Sequence, residues 1–523
     1  MTIAEHDTQA AQVEVSPGRR QLILTVMCMA LGAVVGMLVS LVIALPGIAQ
    51  DLRASEAELQ WVMNAYGIVF AGLLLPGGAL GDRYGRKGVL LAGLVIFIGA
   101  SGAVLWADDV GTVIALRAVA GAGAALVMPM TLSVITSVFP PEERGRAVGI
   151  WSGVFAGGGL LGVMVAGALL EGFSWRSVFV FNAILGLVAL LAAAAVTPKS
   201  RDPYATPLDI PGTVFSVVGI ASLVFSIVEG PERGWSDGLI VGGFAVAVVT
   251  LTAFAYWELR SQKPMLDLRV FRIRGVSGGS LAIMTESLGA FGVLFLLLQF
   301  LQEIKGYSPF EAGLALLPLA IGAIVFSPTA PMLAQRFGFR IVIGLGMAAM
   351  AGGLALLSLL DQGSASWPVL AGGLLIGAGV AYAATPATDA IVAALPAAKQ
   401  GVASALNDIT RELGAVLGIA ILGSVFNATY RGDVGDATEK LPPDIGEAAR
   451  DSLTAALQIA QRLGGGEGTA LADVAKAAFS TGMNNAMLVG VAVVIVGGVI
   501  AVVALPSQAS PETRQPQKTD TRT

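Results

Sequence analysis

The chain has 523 residues, of which 55% are apolar and 13% charged, with 67 glycines and 24 prolines. Soluble chains carry about 25% charged residues, so the polar complement here is too small for a cytosolic enzyme of several domains. A net charge of −5 argues against a nucleic-acid partner, and a single cysteine (Cys28) and a single histidine (His6) exclude disulfides, cysteine–metal clusters and an intramembrane histidine relay.

A bilayer crossing needs roughly 20 mostly apolar residues. In chain order the predicted spans are 22–46, 59–80, 89–107, 112–138, 147–170, 177–197, 210–228, 239–257, 275–302, 312–332, 341–360, 368–394, 404–427 and 484–505. The first follows Arg19 and Arg20 and lacks a small-residue cleavage site, so it reads as a retained helix rather than a signal peptide. Arg117 lies within the fourth span, Glu286 within the ninth, and Arg411 with Glu412 at the start of the thirteenth. The result is an all-α polytopic membrane protein of fourteen helices, since a closed barrel needs short alternating segments. With the N-terminus inside, the inner segments hold 20 of the 31 Lys and Arg residues, the outer segments nine, and two lie in helices. The positive-inside rule then places both termini in the cytoplasm. In the outer loop 428–483, ARDSLTAALQIAQRL and LADVAKAAF have helical spacing on either side of Gly464–Gly466, predicting a small hairpin. A lid and a mere spacer both remain open for it.

Two inner loops repeat. GALGDRYGRK (78–87) and PMLAQRFGFR (331–340) match at Leu80/Leu333, Arg83/Arg336, Gly85/Gly338 and Lys87/Arg340, at a constant offset of 253. Parallel repeats of this kind describe one large class of transporter. The first loop, together with RAVAGAGAALVMP (117–129), LQWVMNAY (59–66), SWRSVFVFN (174–182), DIPG (209–212) with EGPERGW (229–235), and RELGAVLGIAILGS (411–424), resembles the major facilitator superfamily in its fourteen-helix drug:proton antiporter branch. The likeness runs over about 22–505. It implies the major facilitator fold in a 6+2+6 arrangement. The divisions are a cytoplasmic tail at 1–21, a six-helix bundle at 22–197, two linker helices at 210–257, a second bundle at 275–505 containing the outer loop, and a tail at 506–523.

The charged residues suggest roles. Asp82, Arg83 and Arg86 form the motif loop, where Asp82 is placed to accept from an arginine or to face a helix N-terminus, as a gate between the halves. Arg117 must face the protein interior or water; the resemblance implies that it assists proton transfer, while a cation bonded to backbone carbonyls is the plainer alternative. Glu286 is the one acid well inside a predicted span, and is the candidate proton-coupling residue, with a structural hydrogen-bonded carboxylate as the alternative. Asp389, Asp408, Arg411 and Glu412 flank the inner ends of the twelfth and thirteenth spans, as a further gate or a solvated boundary. Trp61, Tyr66, Phe291 and Phe295 are candidate linings of a substrate cavity, along with Met37, Val42 and Asn64.

Three motifs depart from the resembled pattern: in the first helix Met37, Val39 and Val42 stand where it has Asp, Thr and Asn, in the second Asn64 where it has Asp, and in the fifth Val163 where it has Pro. The first half therefore loses carboxylates, which favours neutral or amphiphilic cargo. The expected function is a secondary transporter of the inner (plasma) membrane that exports lipophilic or amphiphilic compounds by alternating access, driven by proton influx. The alternative is an exporter or flippase-like transporter of an endogenous lipid or hydrophobic metabolite with weak or no proton coupling. Neither enzyme chemistry, metal, organic cofactor nor nucleotide-binding loop is expected. The expected partners are small substrates, membrane lipids and protons, with the monomer as the working unit.

Overall fold

The computed structural model describes residues 15–198, 209–261, 264–395, 399–438 and 441–505; the side chain of Val42 and the predicted tail residues 1–14 and 506–523 lie outside the described set. Among the described residues there are fourteen helical crossings long and apolar enough for a membrane, and no strand. The first six are α1 (Pro17–Leu52), α2 (Glu56–Tyr84), α3 (Arg86–Ala103), α4 (Val110–Val138), α5 (Pro141–Leu170) and α6 (Arg176–Val196). Then come α7 (Ile210–Arg233), α8 (Gly238–Arg260) and α9 (Arg274–Gln299). The tenth crossing is built of three pieces, α10 (Pro309–Ala315), α11 (Leu317–Phe326) and α12 (Ala330–Phe337). It is followed by α13 (Phe339–Leu357), α14 (Trp367–Ala394), α15 (Gln400–Thr438), the short α16 (Pro443–Asp451) and α17 (Leu453–Leu463), and α18 (Gly465–Ala504).

Side-chain caps mark several starts. Ser55 accepts from the Glu58 amide while the Glu58 carboxylate accepts from the Ser55 amide at 2.8 Å, a closed capping box on α2. Asp109 caps α4 by accepting from the Thr112 amide at 2.8 Å and its hydroxyl at 2.6 Å, which holds the Asp109 carboxyl below its ordinary range. The predicted continuous span 312–332 is instead segmented, because Pro318, Pro328 and Pro331 each lack the amide that would continue the ladder.

The second half differs from expectation at the end opposite the motif loops. α15 runs on to Thr438, and 471–479 is no separate hairpin arm but the early part of α18, which begins at Gly465. At the pair Gly464 (φ 64°) and Gly465 (φ 57°) the chain reverses between α17 and α18. α16 and α17 pack onto the extended helices: Tyr430 donates to the Ala449 carbonyl at 3.2 Å, and Arg450 reaches the Thr438 hydroxyl and the Gly435 carbonyl. Ala449, Leu453 and Ala456 are buried with Phe479 in the core of α9–α18.

That core is one of two. The other gathers residues from α1–α8, and Val392, Val402, Ala405 and Ile409 of the second half sink into it. The repeat read from sequence recurs in the backbone. Gly85 (φ 102°) and Gly338 (φ 86°) make the same left-handed turn between α2 and α3 and between α12 and α13. In each half, moreover, two cations cap the carbonyl end of the last crossing. Arg19 and Lys87 donate to Val196 and Ala194, while Arg274 donates to Ala504 and Val503 and Arg340 to Leu505. An even number of crossings brings the start of α1 and the end of α18 to one face, that of the motif loops.

Candidate functional site: a gate and a closed central cavity

The last turn of α2 meets the first turn of α15. Asp82 accepts from the Gly401 amide at 2.9 Å and the Val402 amide at 3.1 Å, and from Arg86 at 3.2 Å. A carboxylate on two free amides at a helix start is favoured by the partial positive charge there. Both geometries read from sequence, an arginine partner and a helix N-terminus, are met by the same carboxylate. The approach demands bare backbone: a Cβ on Gly78 would lie 2.4 Å from the Gly401 carbonyl oxygen, and one on Gly401 the same distance from that of Gly78. The Arg83 guanidinium lies over the Tyr84 ring at 5.2 Å. Asp389 of α14 has Arg144 of α5 as its electrostatic partner, a second charge relation between the halves at this end.

α5 meets the tenth crossing along its whole length. Close approaches run from Gly145 on Pro331 through Gly149 on Ser327 and Pro328 to Gly167 on Phe310. The bundle is thus joined at both ends, and the space between is small.

That space lies among α1, α2, α4, α5, α9 and α15. It is lined by Tyr66, Phe70, Phe155, Phe291, Arg411 and Glu412, with aliphatic groups of α1 closing it. At about 20 Å³ it has room for one water molecule and for no drug-sized ligand. Arg411 donates to Glu286 at 2.8 Å, with their side chains 3% and 1% exposed. The Ser287 hydroxyl donates to the same carboxylate oxygen at 3.0 Å, and the Arg411 guanidinium lies 4.5 Å from the centre of the Phe155 ring. Arg411 Nε and Nη2 have no hydrogen-bond partner among the described residues. An ion pair with idle donors beside a cavity is an arrangement that another anion or water can complete.

Several expectations are corrected here. Arg411 and Glu412 are not at a helix edge: Arg411 is eleven residues beyond Gln400, about 16 Å along α15. α15 starts before the apolar run that begins near 404, so a boundary drawn from apolarity alone puts these residues too shallow. For the same reason Glu286 is not the one deep acid. Glu412 lines the cavity, and Asp408 is 1% exposed, with one oxygen accepting from Asn407 at 3.0 Å and the other without a hydrogen-bond partner among the described residues. Glu229 of α7 is buried as well. It accepts from Asn64 at 2.9 Å and pairs with Arg233 at 2.7 Å.

Asn64 and Trp61 therefore face α7 rather than the cavity, Trp61 stacking on Phe225 with ring centres 6.0 Å apart. An aspartate at position 64 would set two carboxylates against each other, so the departure at Asn64 fits the presence of Glu229. Met37 is fully buried in the first core and does not line the cavity, and Phe295 is 42% exposed and lies outside it. Val42 is beyond the described side chains. Tyr66 and Phe291 are where the sequence placed them, and Phe155 was missed although Trp151 and Phe155 form an i,i+4 aromatic pair on α5.

Arg117 is fully buried and donates to the Val62 carbonyl at 2.9 Å, with its guanidinium 4.4 Å from the centre of the Tyr66 ring. The plainer of its two alternatives is the geometry observed. Tyr66 in turn donates to the Val34 carbonyl at 3.1 Å, so Arg117 braces the wall of the cavity with no carboxylate partner among the described residues.

Fourteen crossings, a repeated motif loop, a charged contact between the halves and a cavity at mid-bundle define a membrane transporter of two repeated halves. The family model of the Major Facilitator Superfamily matches residues 22–418, and the chain belongs to that superfamily. It is similar to the multidrug efflux pump LfrA of Mycolicibacterium smegmatis, at 35% identity over 87% of this chain and 92% of that one. The tetracenomycin C resistance and export protein of Streptomyces glaucescens is 31% identical, with 94% and 93% covered. The methyl viologen resistance protein SmvA of Salmonella typhimurium is 34% identical, with 84% and 88% covered. In fold it resembles an inward-facing bacterial homologue of the human lysosomal transporter Spinster, with TM-score 0.61, 19% identity, and 95% and 100% of the two chains covered. The chain is a multi-pass protein of the bacterial inner membrane.

Proposed function

We propose that this protein is a secondary exporter of lipophilic and amphiphilic compounds that turns by alternating access and is driven by proton influx. The named relatives are efflux and resistance proteins for drugs and antibiotics, which supports a drug-like cargo and lends nothing to the lipid alternative. The observation that carries the reading is the central cavity, where aromatic rings from both halves face Glu412 and the Glu286–Arg411 pair. Rings offer flat, sequence-tolerant contact to planar cargo, and carboxylates beside them bind protons or cations in turn. Opening the Asp82 clasp would expose the cavity to the face of the motif loops, which the charge distribution makes the cytoplasmic face, with both termini there. The working unit is the monomer, since cavity and gate are complete within one chain.

The test is initial flux in proteoliposomes against an imposed pH difference, with one neutral and one cationic substrate. Glu286→Gln keeps an acceptor for Arg411 but removes the exchangeable charge. Loss of gradient acceleration with survival of downhill exchange is the expected result. Equal gradient dependence in wild type and variant moves the coupling role to Asp408 or Glu412, and no dependence in the wild type removes proton coupling altogether.

A further inference from the structure

A second cavity lies outside the central site, in a groove between α1, α5 and α6. Its walls are the small residues Gly32, Gly36 and Ser40 of α1 and Gly158 and Gly162 of α5, closed by apolar side chains and Asn182 of α6. Gly36 and Gly162 make the closest approach, where a Cβ on Gly162 would stand 2.8 Å from the Gly36 Cα. The groove encloses about 180 Å³, above the roughly 150 Å³ at which an apolar protein cavity takes up benzene. It opens at the surface of the bundle beside Leu161, which is 47% exposed and in a membrane faces hydrocarbon.

Two polar groups break this apolar lining. Ser40 is 1% exposed, and its hydroxyl has no hydrogen-bond partner among the described residues, not even the preceding turn of its own helix. Asn182 is 3% exposed and spends its amide N–H on the Val178 carbonyl at 2.9 Å, while its carbonyl oxygen points toward Gly36, 3.5 Å from where a Cβ would sit. Water is scarce in hydrocarbon, so an unpaired hydroxyl is costly there unless a ligand answers it. No residue in the lining is ionisable.

We propose that this groove is a lateral binding site for a neutral lipophile bearing an amide or hydroxy-ester group. The ligand's carbonyl accepts from Ser40, its N–H or O–H donates to Asn182, and its apolar part fills the space beside Gly158. The absence of charge separates it from the central cavity, and its occupancy does not depend on the transport reading. A membrane lipid and a lipophilic cargo molecule share this chemistry.

The test uses the full chain in lipid nanodiscs with a diazirine-bearing N-alkyl acetamide, its hydrocarbon counterpart, and peptide mapping of the adducts. Saturable amide labelling within 154–169 and 178–185 is expected. Gly158→Leu and, separately, Gly32→Leu fill the space; at both positions the added Cβ meets no atom closer than 3.9 Å, and an unchanged unfolding temperature of each variant shows that the fold is kept. Each should reduce labelling about tenfold or more. Ser40→Ala should reduce amide labelling roughly threefold to tenfold, the worth of one hydrogen bond, and leave the hydrocarbon probe unchanged. Competition by an N-acylethanolamine identifies lipid as the source, and competition by a neutral amide drug identifies cargo. Labelling that does not saturate, that neither competitor displaces, or that survives both filling variants overturns the site.

Discussion

The two repeated loops do the same structural work and different functional work. Each turns through a glycine of positive φ, and each sends a cation at its last motif position to the end of its half's final helix, Lys87 to Ala194 and Arg340 to Leu505. Yet where the first loop has Asp82 and Arg86, the offset of 253 places Gln335 and Phe339 in the second. Asp82 is 7% exposed and clasped to the opposite half, whereas Gln335 is exposed. At the second junction Pro331, the counterpart of Gly78, rests on Gly145 of α5, and the charge relation there is between Asp389 and Arg144. The two loops thus share a scaffold, and among the described residues the ion clasp aimed at backbone amides is at the first junction.

The strongest way to sharpen the comparison is against the ion pair that does not cross between halves. Glu286 and Arg411 both belong to the second half, on α9 and α15, and both are almost fully buried. Arg411→Met leaves Glu286 as a buried charge with only Ser287 for company, a loss of about 3–5 kcal/mol. A large drop in the unfolding temperature of the purified protein is expected, with Glu286→Gln much milder. If Arg411→Met unfolds like the wild type, the pair is no structural element of the second half.

The clasp itself should behave the other way, altering the balance of states more than the stability of either half. In Asp82→Asn one oxygen remains for the Gly401 and Val402 amides, and the new NH2 group opposes the other donor. Hydrogen bonds to charged groups are worth about 1.5–3 kcal/mol, so the closed state should lose roughly tenfold to a hundredfold in population. Spin labels at Tyr84 and Lys399, in a Cys28→Ser background, should report a wider distance distribution, and turnover should fall. Gln335→Ala is the matched control and should change neither measurement. An effect of equal size at Gln335 would erase the asymmetry between the loops.

The same asymmetry shows what a single chain makes legible. The fourteen crossings are plain because charge gaps of bilayer length leave no other reading, and the repeat is plain because Gly85, Gly338 and their flanking cations recur at a fixed offset. The Asp82 clasp is readable as a type of contact, although the helix start whose amides donate to it lies some three hundred residues on. Depth along a helix was not readable where polar residues prolong it: α15 begins before the apolar run, so Arg411 appeared at an edge. Facing was weaker still. Trp61 and Asn64 share a helix face with neither Tyr66 nor the cavity, and only the position of Phe225 and Glu229 on α7 decides it. The segmentation of the tenth crossing was legible in its prolines, and the apolar length concealed it.

The smallest expected effect tests the half of the comparison that claims sameness. Lys87 donates to the Ala194 carbonyl at 2.7 Å and Arg340 to the Leu505 carbonyl at 2.8 Å, each at the C-terminal end of the last crossing of its half. A cation there satisfies a carbonyl that the helix leaves free and complements the partial negative charge of the helix end. Lys87→Met and Arg340→Met keep most of the apolar length of the side chain and remove the donor, at a cost of about 0.5–1.5 kcal/mol each. A second cation stands by in both cases, Arg19 at Val196 and Arg274 at Ala504, so neither helix end is stripped bare. The two variants should therefore lower the unfolding temperature slightly and by similar amounts, with hydrogen exchange quickening only in the last turns of α6 and α18 respectively. Transport should persist in both. If Lys87→Met alone stopped transport while Arg340→Met did not, the scaffold role would be unequal, and the functional asymmetry of the loops would extend beyond Asp82 to the cation that closes the motif.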